Sequence, residues 1–446
     1  MSPPKKPKTS GFLSWYFRVN LLKRILTGLV LGAVCGCVLG AFPQAAALFV
    51  DNARIFGDLF IRLLKMIVVP VILFSLVTGA ASISPSQLGR VGLKTLLYYF
   101  ATSVISVAIA LALANLLRPG QNMGIAGDAA VKGTEAHAPP LSQILLEIVP
   151  TNPAESLARG DVLPIIFFAL VFGIALAVVR DSKDGKVAAA ADRLFELCSI
   201  CAETMYKVVG GIMQYAPVGV FVLIAVVFAQ QGPKAVGSLL FVTLTVYVSL
   251  AVHLVVGYGG MLRVISKLSF VKFVKGAYAA SLTAFVTRSS NGTLPVTMRV
   301  CEDKMGVPRS VSSFTLPVGA TINMDGTAIY LAVCAMFIGF ATGQPLTLNQ
   351  QLTVMITATL ASVGTAGVPG AGAIMLLMVL ESIDLPVTAG SSVAAAYAMI
   401  LGIDSLLDMG RTCMNVTGDM AGAVIVSKSE RVLDEGKWSS AVIPGP

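Results

Sequence analysis

Asp404, Asp408, Arg411, Thr412, Asn415 and Asp419 punctuate the run IDSLLDMGRTCMNVTGDMAGAVIV, which is otherwise mostly apolar or small. At about 100° per residue they share one helical stripe about 100° wide. Leu406, Leu407, Cys413, Met414 and Val416 take the opposite face. A charged side chain at mid-bilayer costs at least about 2.5–3.5 kcal/mol, so the stripe has to face protein, water or a ligand. Three carboxylates against one guanidinium leave negative charge in surplus. That surplus favours a bound cation over an ion-pair network that only joins helices.

A second polar island, Gly319-Ala-Thr-Ile-Asn-Met-Asp-Gly-Thr327, interrupts the apolar run Ser310–Ala341. Asn323 and Asp325 are two residues apart and cannot share a face of a continuous helix. With Gly326 beside them, the sequence predicts an unwound turn. Unwinding frees carbonyl oxygens, and carbonyls with carboxylates suit a hard cation such as sodium. The alternative is a glycine kink with Asp325 paired to a base. No lysine or arginine is close in sequence, and Arg288 and Arg411 are the deep candidates.

The elements that must hold these residues follow from composition. Of 446 residues, 56% are hydrophobic and 12% charged, against about 25% charged in soluble domains. Mean hydropathy is +0.82. The expected class is an all-α polytopic membrane protein. Apolar runs cover Ile25–Phe42, Ile55–Ile83, Gly92–Leu117, Leu163–Val179, Leu194–Phe228, Leu239–Leu262, Phe270–Val300, Ser310–Ala341, Leu352–Leu385 and Ser391–Val426. Phe270–Val300 is broken by Arg288-Ser-Ser-Asn-Gly-Thr-Leu-Pro295, and Leu352–Leu385 by Ser362-Val-Gly-Thr-Ala-Gly-Val-Pro-Gly-Ala-Gly372. These two are expected to be re-entrant helical hairpins, and the other eight full transmembrane helices. Irregular backbone at membrane depth survives only where it lines a protein cavity.

Charge sets the expected orientation. Lys5, Lys6, Lys8, Arg18, Lys23 and Arg24 place the N-terminus in the cytoplasm. Later cytoplasmic segments carry Arg90 and Lys94; Arg180, Lys183, Lys186 and Arg193; and Arg263, Lys267, Lys272 and Lys275, whereas Gly343–Gln351 has no lysine or arginine. The first hairpin then enters from the cytoplasm, the second from outside, and the C-terminus ends inside. Both hairpins contain Gly-Thr followed by proline, the internal similarity of an inverted-repeat transporter with sites near the midplane. Met1–Ser10 is basic and proline-rich, and no cleavable signal peptide is expected.

Other classes fit less well. Seven scattered cysteines imply no disulfide framework. Cys198-x-x-Cys201 lacks a second pair and is expected to pack. A hydrolase using Ser289 or Ser290 needs a base; His137 lies in a polar loop, His253 stands alone in an apolar run, and no G-x-S-x-G elbow exists. The chain is not expected to be an enzyme. The +9 net charge is spread over loops facing anionic lipid and implies no nucleic-acid partner. A pure channel is the stronger rival, and saturable sodium-dependent uptake and exchange separates a carrier from it.

TRSSNGTLPVTMR (Thr287–Arg299), GATINMDGT (Gly319–Thr327), SVGTAGVPGAG (Ser362–Gly372), DMGRTCMNVTGD (Asp408–Asp419) and the earlier IVPTNPAESLARGDVLPIIFFALVFGIAL (Ile148–Leu176) carry a resemblance. From Leu22 to Lys428 the chain resembles glutamate/aspartate transporters of the dicarboxylate/amino acid:cation symporter family, nearest in pattern to archaeal sodium-coupled aspartate transporters. The resemblance implies symport of an acidic amino acid with sodium into the cell, across the plasma membrane, by an elevator motion within a homotrimer. Sodium ions are the implied co-transported cofactor, with no organic cofactor. It further implies a cytoplasmic segment (1–21), scaffold helices (22–90), a third helix in the moving domain (91–118), an extracellular loop with two more scaffold helices (119–236), the rest of the transport domain (237–428) and a cytoplasmic tail (429–446).

The same resemblance implies the ligands. Arg288, Ser289, Ser290, Met324, Thr327, Val368, Gly372, Asp408, Arg411, Thr412 and Asn415 would surround the amino acid. Ser290, both hairpin tips and Asn415 would hold the α-carboxylate. Asp408 would take the α-amino group, and Arg411 with Thr327 the side-chain carboxylate. One cation would meet Gly319, Asn323, Asn415 and Asp419. A second would meet Thr321, Ser362, Val363 and Thr365. A third would meet Tyr99, Thr102, Ser103, Asn323 and Asp325. Family members that exchange potassium or move protons tend to carry an acid shortly after the NMDGT turn, where this chain has Leu331; sodium coupling without potassium exchange is expected. Arg288 is the archaeal-type arrangement, Asn291 replaces a serine often found at that tip, and Arg411 points to an acidic rather than a neutral substrate.

Overall fold

Where no water reaches the backbone, an isolated segment can satisfy its own N–H and C=O groups only as a helix. The chain follows that rule in a computed structural model, which describes residues 19, 21–82, 89–121, 123–125, 146, 148–363, 370–388 and 390–440. Among the described residues there is no strand, and eight helical stretches are long and apolar enough to cross a membrane.

In chain order the helices are α1 (Leu21–Gly40), α2 (Pro43–Ala81), α3 (Arg90–Leu117), the short α4 (Pro153–Arg159), α5 (Val162–Arg180), α6 (Gly185–Gln231) and α7 (Lys234–Val252). A π-helical turn (His253–Gly259) then leads into α8 (Gly260–Ile265). The second half holds α9 (Phe270–Thr287), α10 (Ser290–Arg299) with a π turn at Val300–Lys304, α11 (Arg309–Ile322), α12 (Asp325–Ala341), α13 (Leu348–Val363), α14 (Ala371–Glu381), α15 (Ser392–Ser429) and α16 (Glu435–Ser440). Several helices outrun the apolar windows. α2 begins at Pro43 instead of Ile55 and ends at Ala81, and α6 begins at Gly185 instead of Leu194. Their extra turns carry charged residues that form helix well but fail a hydropathy test. Asp184 caps α6 by accepting from the Lys186 and Val187 amides at 2.9 and 3.4 Å.

Two packing groups emerge. In one, α1, α2 and α5 lie against α6 or each other. Gly28, Gly32 and Gly36 put one face of α1 on α6: an added Cβ would sit 2.5, 2.6 and 2.5 Å from the carbonyl oxygens of Pro217, Phe221 and Ala225. Such small-residue stripes let membrane helices approach backbone to backbone. In the other group α15 is the axis, contacting α7, α9, α11 and α12, while α12 also packs on α3. Burial separates the groups: 94% of the apolar stretch of α11–α12 and 83% of that of α15 are buried, against 22% for α1. The two most enclosed stretches carry the polar runs Gly319–Thr327 and Asp404–Asp419.

The expected unwound turn is present. Asn323 (φ −91°, ψ 86°) and Met324 (φ −117°, ψ 46°) leave the helical region between α11 and α12. Each interrupted apolar run is two helices packed on one another, α9 with α10 and α13 with α14. Arg288 at φ 54° ends α9, and Ser289 caps α10 through the Gly292 amide at 3.0 Å. Residues 364–369, between α13 and Gly370, lie outside the described residues, as do Ile83, His137 and Lys5–Arg18. The expected tail is partly folded: Arg431 at φ 60° turns the chain, the Asp434 amide donates to Gly306 O at 2.9 Å, and Trp438 is buried. Lys94 pairs with Glu430 beside this turn, and that hydrogen bond holds the Glu430 carboxyl below its usual range.

Candidate functional site

α15 is capped by Ser391, whose hydroxyl accepts from the Ala394 amide at 3.0 Å, and runs unbroken from Ser392 to Ser429. Its polar stripe meets neighbouring helices and divides into two clusters.

The first is built on Arg411. Nη1 donates to Asp404 Oδ1 at 3.1 Å and Nη2 to Asp408 Oδ1 at 2.8 Å. The guanidinium carbon lies 4.1 Å from the centre of the Tyr330 ring, a cation–π arrangement. Tyr330 was not anticipated, although three residues from Thr327 on α12 it shares that helical face. Gly372, in the first turn of α14, abuts the guanidinium so closely that any Cβ would collide with it. Asp408 Oδ2 is buried and has no hydrogen-bond partner among the described residues.

Asn415 links α15 to the unwound turn. Its Oδ1 accepts from the Gly326 amide at 2.8 Å, and Nδ2 donates to Met324 Sδ at 2.9 Å and Thr327 Oγ1 at 3.4 Å. Gly326 is required there, because a Cβ would meet the Arg411 backbone. Thr412 and Ser290 are buried, Arg288 and Ser289 half-buried.

Among the described residues, the second cluster has no lysine or arginine among the partners of its carboxylates. Asp325 Oδ1 accepts from Ser103 Oγ at 2.7 Å, and Oδ2 from Tyr258 Oη at 2.9 Å and His253 Nε2 at 3.2 Å. Asn323 Nδ2 donates to Asp419 Oδ1 at 2.9 Å and Asn415 O at 3.3 Å. Thr102 Oγ1 is 3.5 Å from Asn323 Oδ1. Tyr99 Oη donates to Thr315 O at 2.9 Å, and a Cβ on Gly319 would lie 2.6 Å from that hydroxyl and closer still to Asp419. Among the described residues no group of three His, Cys, Asp or Glu could hold a metal ion. The donor set is carboxylate, amide, hydroxyl and carbonyl oxygen, which suits a hard monovalent or alkaline-earth cation.

His253 corrects the expectation that it stands alone, since it bonds Asp325 across the bundle. Neither it nor Tyr258 was anticipated, because both sit on a π turn that an α-helical period does not reveal. The third expected cation set, Tyr99, Thr102, Ser103, Asn323 and Asp325, is gathered in one place, as are Gly319, Asn323, Asn415 and Asp419. Of the remaining set, Thr321 with the backbone of Ser362, Val363 and Thr365, the structure describes only part: Thr321 Oγ1 donates to Val318 O at 3.0 Å and Ser362 Oγ to Thr359 O at 2.8 Å. Thr365, Val368 and the side chain of Val363 lie outside the described residues.

The sequence model of the Sodium:dicarboxylate symporter family matches residues 21–429. The chain is 33% identical over 430 residues to the proton/sodium-glutamate symport protein of Geobacillus stearothermophilus, covering 94% of this chain and 97% of that protein. It is 32% identical over 435 residues to the proton/glutamate-aspartate symporter of Escherichia coli (strain K12), covering 94% and 95%. Similarity extends to the C4-dicarboxylate transport protein of Rhodopseudomonas palustris (strain BisB18), 31% identical over 432 residues and covering 96% and 91%.

Proposed function

The chain belongs to the Sodium:dicarboxylate symporter family, and from that premise we propose that it brings an acidic amino acid, aspartate or glutamate, into the cell with sodium as the coupling ion. It is a multi-pass membrane carrier, not an enzyme. The observation that carries the amino-acid reading is the imbalance around Arg411: two carboxylates share one guanidinium, and Asp408 Oδ2 is left without a partner. An α-ammonium group supplies the missing positive charge there, while the planar guanidinium fork suits a carboxylate. In this reading Thr327, Met324, Thr412, Asn415, Gly372 and the Arg288-Ser289-Ser290 turn line that pocket. A C4-dicarboxylate, the substrate in the name of one group of relatives, has no ammonium and leaves Asp408 Oδ2 bare.

Sodium is the proposed ion because the second cluster offers hard oxygen donors to a cation and, among the described residues, sets no lysine or arginine against Asp325 and Asp419. Binding a cation next to an anionic amino acid raises the affinity of each for the other, and this reciprocity is what lets one gradient drive the other. In the proposed cycle α3 and α7–α15 move as a transport domain against a scaffold of α1, α2, α5 and α6, within a homotrimer whose termini are cytoplasmic. The two packing groups support that division. The test is labelled aspartate uptake into proteoliposomes under an inward sodium gradient, a proton gradient, or neither. Saturable uptake under the sodium gradient, competed by glutamate and not by succinate, is expected. Uptake driven by protons alone replaces sodium with the proton, and preference for succinate removes the amino acid from the proposal.

A further inference from the structure

The run from Lys234 to Ile265 is α-helical at both ends and π-helical over His253–Gly259. Such turns are rare and are frequently found at functional sites. On an α-helix residues five apart point about 140° from each other. The wider π turn closes that gap and sets His253 beside Tyr258, with ring centroids 4.5 Å apart at 68°. Both side chains are fully buried, and both reach the same atom, Asp325 Oδ2, at 3.2 and 2.9 Å.

Space has been cleared for each. A Cβ at Gly257 would lie 2.5 Å from His253 Nδ1, and a Cβ at Gly418 would run into the Tyr258 hydroxyl. The ionised carboxylate has about four lone-pair directions and accepts only. Two are used at Oδ2 and one at Oδ1 by Ser103 Oγ, 2.7 Å away. Because the carboxylate can only accept, the proton shared with His253 is assigned to Nε2, while Nδ1 has no partner among the described residues.

We propose that the π-helical turn is an aiming device in which His253 and Tyr258 are positioning residues, saturating Asp325 Oδ2 so that the carboxylate presents a single free direction, at Oδ1, to the coupling cation. This rests on the cation site described above. Fixing one oxygen and freeing one lone pair at the other limits the size and approach of the ion that fits, so the two residues set cation affinity and cation choice without touching the ion.

The experiment measures aspartate binding by calorimetry on the purified full-length protein over a sodium series and a lithium series, for wild type, Tyr258→Phe, His253→Leu and His253→Gln. Losing one hydrogen bond to a charged group is worth roughly tenfold in an equilibrium constant. Tyr258→Phe and His253→Leu should each raise half-saturating sodium about tenfold and bring the lithium-to-sodium ratio closer to one, with a much smaller change in aspartate affinity at saturating sodium. His253→Gln, which keeps an N–H donor, should recover part of the sodium affinity. A uniform loss of aspartate affinity with an unchanged ion ratio would indicate a packing role only and overturn the proposal. So would wild-type sodium dependence in Tyr258→Phe and His253→Leu alike. If wild-type binding ignores sodium altogether, the cation site itself falls and takes the proposal with it; this outcome is recognised before any variant is compared.

Discussion

The two ends of the buried polar region hold equal numbers of carboxylates and stabilise them by different means. At one end Asp404 and Asp408 share the guanidinium of Arg411. At the other, Asp325 and Asp419 receive hydrogen bonds from Ser103, Tyr258, His253 and Asn323. Breaking a buried pair leaves an uncompensated charge in a low-dielectric interior. The first end carries one negative charge beyond its guanidinium, and a zwitterion with an extra carboxylate offers it both signs, an ammonium for the surplus and a carboxylate for Arg411. The second end has no such base among the described residues, and its two carboxylates suit a bare cation. Asn415 and the 323–325 turn connect them, since Asn415 O accepts from Asn323 while its side chain holds the Gly326 amide. Occupying one end fixes residues that the other needs.

The largest effect expected from this contrast is at Arg411. Arg411→Cys leaves Asp404 and Asp408 buried without their base, a loss of about 3–5 kcal/mol, or two to three powers of ten and more in aspartate affinity. Calorimetry on the purified variant should register no aspartate binding at concentrations that saturate the wild type. Affinity within a factor of three of wild type would remove Arg411 from the binding role.

Asp419→Asn tests the other end. It keeps an oxygen for the Asn323 amide and deletes one negative charge. Half-saturating sodium should rise by roughly ten- to a hundredfold, following the 1.5–3 kcal/mol typical of interactions with a charged group. Aspartate affinity measured against sodium concentration reports this directly. Equal sodium dependence in the variant and the wild type contradicts the assignment of this end to a cation.

Two glycine substitutions sharpen the contrast. In Gly372→Ala the new methyl meets the Arg411 guanidinium; in Gly319→Ala it meets Asp419 and the Tyr99 hydroxyl. Overpacking of this kind costs about 1–3 kcal/mol. Gly372→Ala should weaken aspartate binding about tenfold at saturating sodium, and Gly319→Ala should instead shift the sodium curve. If both variants moved the same parameter, the two ends would not be separate sites.

How much of this was legible in the sequence depended on periodicity. The stripe on α15 obeys a 3.6-residue repeat, and the 323–325 turn breaks one, so both were visible. The contacts of Asp325 were not, because His253 and Tyr258 share a face only after a π turn changes the period, and because their partner lies 72 and 67 residues away. The true ends of α2 and α6 were hidden for another reason: their charged turns belong to helices that continue beyond the apolar window. The docking of residues 429–440 rests on buried Leu433 and Trp438, the Lys94–Glu430 pair and a few main-chain bonds, such as Asp434 to Gly306, which no helical period announces.

The smallest expected effect concerns the hydroxyl of Tyr330, which is buried with no partner among the described residues while the ring lies under Arg411. The comparison assigns the ring, and not the hydroxyl, to the arginine end. Tyr330→Phe keeps the aromatic face and removes a buried group that costs desolvation without return, so aspartate affinity should stay within about twofold and stability should hold or rise slightly. Tyr330→Leu removes the cation–π contact, worth about 0.5–2 kcal/mol, and should weaken aspartate binding by a few-fold to about thirtyfold. Paired calorimetry and thermal unfolding of the two variants separate these contributions. A large loss of aspartate affinity in Tyr330→Phe would instead make the hydroxyl a direct ligand of the bound amino acid, and would extend the arginine end of the pocket one turn further along α12.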